Sequence, residues 1–328
     1  MYRFRLGILC IAVALFAESV FAQGADAYPT KPIRVVIAQL PGGTADTVLR
    51  LYAQRMGDLL GQTMVVDNRG ASGVGGLASL QLVAGSNPDG YTLMLAVPSL
   101  TFTPALVKDM PLDVERDFAP ISLLNRESYL VTVNPGLPAH SVKEFVALAK
   151  AKPGTINAGG GNFGSGTHLV CMQFLDAVGI REIVTYVPYK GVTVAFVDAM
   201  AGRLQSTVSS IVSGGPHVKA GKLRALAVTG AQRSAAFPDT PTVAEQGFTG
   251  FEATAWNGLL APAKTPMSRV NKLGAMAAQA AQAPEIKDKL RVMGSEAVGS
   301  TPAEFKRLIA TEVTRWRQLV KRLGIAPS

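Results

Sequence analysis

The sequence predicts an α/β protein of two lobes, with parallel strands joined by crossover helices. Three observations carry this reading. Apolar, β-branched runs alternate with helical stretches, and glycine-rich turns stand between them. The alternation comes in two series, one before and one after Tyr129–Val133, with no single linker separating them, which suggests lobes joined by crossing strands. The chain's 328 residues are 48% hydrophobic and 17% charged, which supplies a large core and excludes intrinsic disorder.

In the first series, Ile33 to Gln39 is a β-branched run that ends at Pro41-Gly42-Gly43. Thr44 to Leu60 places Val48, Tyr52, Met56 and Leu59 on one helical face and stops at Gly61. Met64 to Asp67 and Thr92 to Val97 read as strands, with a small-residue helix around Gly75 to Ala84 between them. In the second series, Ser141 caps a helix to Lys150, with Glu144 completing a capping box. Strands follow near Ile156, at Ile183 to Val187, at Leu204 to Val208 and at Leu223 to Thr229. The last third reads as helical: Met267 to Ala281, Pro284 to Val292 and Pro302 to Leu323. The final helix should bury Phe305, Leu308, Ile309, Trp316 and Leu319 and turn Lys306, Arg307, Arg315 and Arg317 outward.

Residues 1–22 have the parts of a secretory signal peptide. Arg3 and Arg5 precede the apolar run Leu6 to Ala17, and Val20-Phe21-Ala22 offers a small-residue cleavage site. Cleavage before Gln23 leaves 30 basic and 22 acidic residues, net +8 over 306 residues, and removes Cys10. Cys171 is then a lone thiol in an apolar helical stretch, so an internal disulfide is excluded and a buried core role is expected. The basic residues are dispersed among acids, which argues against nucleic acid and for a mild field attracting anions.

Ligands of open α/β sheets bind on loops beyond the strands' carboxyl ends. The first such loop is Gln39 to Asp46. Gly42 and Gly43 expose backbone N–H groups at a helix N-terminus, the elements of an anion site. Pro41, Gly42, Gly43, Thr44 and Asp46 are its candidate ligand residues, Thr44 as helix cap and hydroxyl donor. Asp46 has two readings, ligand contact or stabilisation of the helix start. Gly43→Val is expected both to block the ligand and to strain the turn. The second loop, Ala158 to His168, reads as a matching carboxylate cradle, with Gly161, Asn162, Gly164, Ser165, Gly166, Thr167 and His168 as candidates.

The second loop also contains Gly159-x-Gly161-x-x-Gly164, but the next strand ends Val187-Pro188-Tyr189-Lys190 without the acid a dinucleotide site requires. Gly73-x-Gly75-x-x-Ala78 is a similar false lead. There is no G-x-S-x-G, P-loop or HExxH, and no cluster with metal-ligand spacing. Of three histidines, His140 precedes a helix cap and His217 is read in a Pro-started helix, so only His168 stands near a candidate site. No cofactor and no catalytic residue is expected.

Several segments resemble one family. YPTKPIRVVIAQLPGGTAD, DNRGASGVGG, NPDGYTLML, FAPISLL, VPYKG, HVKAGKLRALAVTG, FPDTPTVAEQG and Trp256-Asn257-Gly258-Leu259 are similar, in order, to the Bug family of receptors for tripartite tricarboxylate transporters. The resemblance implies a type II-like periplasmic binding protein, a ligand cleft between lobes, a small carboxylate or related compound held largely by main-chain amides and waters from the two loops, and membrane transporter subunits as partners. It adds Trp256 to the ligand candidates. It adds Ser209 too, where many members carry an aspartate used for an amino or polar group; the serine points to organic acids without one. The expected division is 23–128 with 252–328 as one lobe and 129–251 as the other, acting as a monomer in the periplasm. The competing readings are a receptor of the same fold that docks a sensor kinase, and an exported α/β hydrolase.

Overall fold

The computed structural model describes residues 27–70 and 74–325; the expected leader, with Cys10 and the Ala22–Gln23 cleavage site, lies outside them. Four of the five residues of β1 (Ile33–Ile37) are fully buried, as a parallel strand covered on both faces requires. Val35 and Ile37 face the core under α1 (Thr44–Leu60), while Val36 faces the opposite core. β2 (Met64–Asn68) and β3 (Thr92–Ala96) flank β1 in parallel. Between them, a 3-10 turn at Val74–Gly76 leads into α2 (Leu77–Ala84). α3 (Ser99–Leu106) then carries the chain to β4 (Phe118–Val133), a strand of 16 residues.

The second series runs α4 (Val142–Ala151), β5 (Ile156–Gly160), α5 (Gly166–Ala177), β6 (Val184–Pro188), α6 (Val192–Met200), β7 (Ser206–Ser210), α7 (Ile211–Lys219) and β8 (Arg224–Val228). The chain returns through β9 (Thr254–Pro262), α8 (Met267–Gln282), α9 (Pro284–Val292), β10 (Ser295–Ala297) and α10 (Pro302–Arg322).

β4 belongs to two sheets. From Phe118 to Ser128 it pairs antiparallel with β9, which joins it to β3, β1 and β2. From Tyr129 onward it pairs with β7 and β8, and β7 continues in parallel to β5 and β6. At the crossing a buried amide ladder spans three strands: Asn257 Nδ2 donates to Asn125 Oδ1 at 2.9 Å, and Asn125 Nδ2 donates to Ser295 Oγ at 2.7 Å. These bonds satisfy polar groups that would otherwise be costly inside a core.

α10 closes both halves of the molecule. Phe305, Ile309 and Val313 pack with Trp256 and Val36 in one core. Trp316, Leu319, Val320 and Leu323 pack with Leu169, Phe174 and Val131 in another. Gly258 makes the first contact possible, since a Cβ there would lie 2.2 Å from the Phe305 ring.

The structure corrects several expectations. α3, β9, β10 and the first eleven residues of β4 were not expected as elements. At α4, Ser141 accepts from the Glu144 N–H, but Glu144 Oε2 accepts from the N–H of His140, so the box does not close on Ser141. The reciprocal pair is at α10, between Thr301 and Glu304. Pro216 lies inside α7, which Ser210 caps, so His217 is not in a Pro-started helix. Leu308 is half-buried, and Arg315 turns inward to Glu312 rather than outward. Cys171 is buried, and burial pushes its thiol up to about 12. Among the described residues no helix is long and apolar enough to cross a membrane.

Candidate functional site

The first loop leaves the carboxyl end of β1. Gly42 has φ +87°, a conformation that favours glycine, and its N–H donates to Asp46 Oδ2 at 2.9 Å. Gly43 is the N-cap of α1 in extended backbone (φ −77°, ψ 170°), and no side chain caps this helix. Thr44 is therefore the first helical residue and not the cap expected of it. A Cβ on Gly43 would meet nothing nearer than 3.9 Å, so the expected strain belongs to Gly42.

Asp46 is buried. Besides Gly42, its carboxylate accepts from Arg50 Nε at 3.0 Å and from Asn68 Nδ2 at 2.9 Å. Burial alone would raise its pKa, but the bonds from Arg50, Gly42 and Asn68 and the Arg50 charge outweigh it and hold the carboxyl below its ordinary value. Through these bonds Asp46 ties the loop to the helix start and to Asn68. Helix geometry leaves the first-turn N–H groups of Thr44 and Ala45 without intrahelical acceptors.

Beside this loop lies a cavity of about 240 Å³, lined among others by Gln39, Gly75, Gly76, Val97 and Ser99. Gly76 has φ +81° and packs so tightly on the end of β1 that a Cβ would come within 2.6 Å of the Ala38 Cβ. Ser99 Oγ donates to Gly75 O at 3.3 Å, which ties α3 to the turn. Gln39, Gly75, Gly76 and Ser99 were not among the candidates. The glycine run Gly73 to Gly76 was the available signal, set aside because its spacing resembled a dinucleotide fingerprint.

The second loop leaves the carboxyl end of β5 and is held mainly by its own side chains. Gly161 N donates to Thr167 Oγ1 at 2.9 Å, Gly164 N to His168 Nδ1 at 3.0 Å, and His168 N to Ser165 Oγ at 3.2 Å. Tyr186 Oη donates to Gly161 O at 2.7 Å. Ser165 caps α5, and its hydroxyl lies 3.2 Å from that of Thr167. One hydroxyl proton suffices for that contact, so the pair retains one more to donate. Asn162 O accepts from Ser165 N, and Gly166 and Thr167 open α5 with their first-turn N–H groups.

His168 is buried and its Nδ1 is an acceptor, so its proton sits on Nε2. Burial pushes its pKa down to about 4. The imidazole supports the loop through the N–H of Gly164. Phe163 stacks edge-on against it at 5.2 Å.

α3 connects the loops. Ser99 and Leu100 at its start line the cavity by the first loop. Towards its end, Leu106 lies 3.4 Å from where a Cβ on Gly164 would sit, and Phe102 lies 3.8 Å from one on Gly166.

Two candidates fall elsewhere. Trp256 is in the core, its ring edge-on to Phe305 at 5.5 Å and its Nε1 donating to Glu312 Oε2 at 3.0 Å. β9 is an inner strand, flanked by β3 and β4. Ser209 is fully buried on β7 beneath α7, where a Cβ on Gly214 would lie 2.3 Å from its Oγ. Its neighbour Ser210, half-buried at the strand end, is the serine that opens α7.

The comparisons agree with this architecture. The model of the tripartite tricarboxylate transporter family receptor matches residues 48–325. Protein BugT of Bordetella pertussis (strain Tohama I) is 32% identical over 302 residues, spanning 92% of this chain and 91% of that one. Among solved structures, Rpa4515 of R. palustris with adipate is similar at a TM-score of 0.79 and 33% identity, over 92% of this chain and all of its own. MatC from Rhodopseudomonas palustris with bound malate is similar at a TM-score of 0.74 and 28% identity, over 89% of this chain and all of its own.

Proposed function

The chain belongs to the tripartite tricarboxylate transporter receptor family, and from that premise we propose that it captures a small organic acid lacking an amino group, a dicarboxylate or an aromatic acid. The family is one of periplasmic receptors with a two-lobed α/β fold, and not of enzymes. Capture would occur between lobes formed by residues 23–128 with 252–328 and by residues 129–251. Delivery would be to the membrane subunits of a transporter, after export through a cleaved leader.

The observation that carries this reading is the pair of glycine loops, each opening a helix N-terminus, one beyond each sheet. Backbone N–H groups there suit a carboxylate without requiring a cation. An ammonium would need an acid of its own. Asp46 is committed to Arg50, Asn68 and Gly42, and Ser209 stands where many members of the family carry an aspartate. The adipate and malate of the neighbouring structures support the same ligand class.

Thermal-shift screening of the mature chain tests the proposal. Dicarboxylates or aromatic acids are expected to raise the melting temperature, and glutamate and aspartate to leave it unchanged. A response to the amino acids alone would overturn it.

A further inference from the structure

Two large apolar side chains stand far out in water, one on each glycine loop: Leu40 is 73% exposed and Phe163 is 67% exposed. Neither is loosely placed. Leu40 lies over Gly70, where a Cβ would come within 2.4 Å of its Cδ2, so that glycine provides the bed on which the side chain rests. The Phe163 ring is braced by His168 at 5.2 Å and by Tyr186 at 5.9 Å. Both braces are themselves tied to the loop, through Gly164 N and Gly161 O. The glycines that follow Phe163 pack close to Leu106 and Phe102 of α3, the helix whose start lines the cavity beside the first loop. Small-molecule sites are lined mostly by apolar side chains around a few polar groups that fix orientation, and Leu40 and Phe163 are the large exposed apolar side chains on the two polar loops.

We propose that Leu40 and Phe163 form a specificity pair that closes, from opposite lobes, over the middle of the bound acid. The carboxylates meet the N–H groups of the two loops, and the segment between them lies against leucine on one side and phenylalanine on the other. The pair selects diacids whose carboxylates are separated by a hydrocarbon chain or ring over short or hydroxylated ones. A hydroxyl placed between the two side chains loses its water without gaining a partner. Each methylene buried there raises affinity about fourfold. This proposal rests on the receptor reading above and specifies its ligand class.

Titration calorimetry of the mature chain with succinate, malate and adipate tests it, alongside Leu40→Ser, Phe163→Ser and the double variant. Both side chains are exposed, so the substitutions leave the cores intact, and thermal melts verify this. The expected result is a preference for adipate over succinate of about tenfold or more, from two additional methylenes. Malate is expected to bind no more tightly than succinate. Each single variant should reduce the adipate preference, and the double variant should bring it towards unity. Equal affinity for adipate and succinate in the parent, or an adipate preference that survives the double variant, overturns this proposal alone. Failure of every diacid and aromatic acid to bind overturns the receptor reading together with it.

Discussion

Trp256 Nε1 and Glu312 Oε2 stand 3.0 Å apart with both side chains buried, and Thr101 Oγ1 lies 2.9 Å from the same carboxylate oxygen. One acid on α10 thus holds β9 and α3 together, while its other oxygen takes Arg315 at 3.2 Å. Burial raises the Glu312 pKa, which Arg315, Trp256 and Thr101 counteract. Trp256→Phe removes the indole donor and is expected to cost about 1–3 kcal/mol for that bond alone. Urea unfolding measures the loss. Ligand affinity, followed in parallel, should stay within twofold of the parent, because the indole belongs to the core. A large loss of affinity in a stably folded variant would return Trp256 to the site.

The two glycines of the first loop should separate stability from binding. Gly42→Ala places a side chain at φ +87° and is expected to destabilise the chain by about 1–2 kcal/mol. Gly43→Val sits at φ −77°, where its Cβ would meet nothing nearer than 3.9 Å, and should barely change the melting temperature. It stands at the helix N-terminus, however, and should weaken carboxylate binding about ten- to hundredfold, as expected for one lost charge-assisted bond. Unchanged affinity in a folded Gly43→Val protein would remove the first loop from the site.

Two buried groups impose opposite pH slopes on stability. Burial raises Glu127 from 4.5 to about 8, and its Oε2 has no hydrogen-bond partner. Between those values the folded chain keeps a proton that the unfolded chain has released, so stability falls as pH rises, by at most about 1.4 kcal/mol per unit. His168 is lowered from 6.5 to about 4, so there the unfolded chain holds the extra proton and stability falls as pH drops. Glu127→Gln is expected to remove the first slope, melting higher than the parent at pH 8 and close to it at pH 4.5. Parallel melting curves for the two proteins across that range would contradict this assignment.

Much of the fold was legible where its determinants are local. α1 runs from Thr44 to Leu60 and α9 from Pro284 to Val292, at the bounds that apolar spacing, a closing glycine and an opening proline set. β9 was not legible, because Asn257 and Gly258 interrupt its apolar pattern. Their reasons lie far away in the chain, in Asn125 for one and Phe305 for the other. The first half of β4 was obscured in the same way by Asn125, Arg126 and Glu127.

At the site, the positions of both glycine turns beyond β1 and β5 could be read from composition. The duties of the polar residues in them could not. Ser165, Thr167, His168 and Asp46 are the residue types a ligand would use, and each also accepts a hydrogen bond from its loop's own backbone. Only geometry distinguishes a hydroxyl that binds a ligand from one that shapes the turn beneath it.

The division of α10 between two cores has a consequence for biosynthesis. Leu169, Phe174 and Val131 are covered in part by Trp316, Leu319, Val320 and Leu323. The sheet that β4 shares with β5, β6, β7 and β8 therefore keeps part of an apolar face uncovered until residues 316–323 have been made. A nascent chain halted before residue 316 holds all of those strands but not the part of α10 that covers them. Such intermediates should be sticky and readily retained by holdase chaperones, and the synthesis of residues 316–323 should commit this half of the molecule to its native packing.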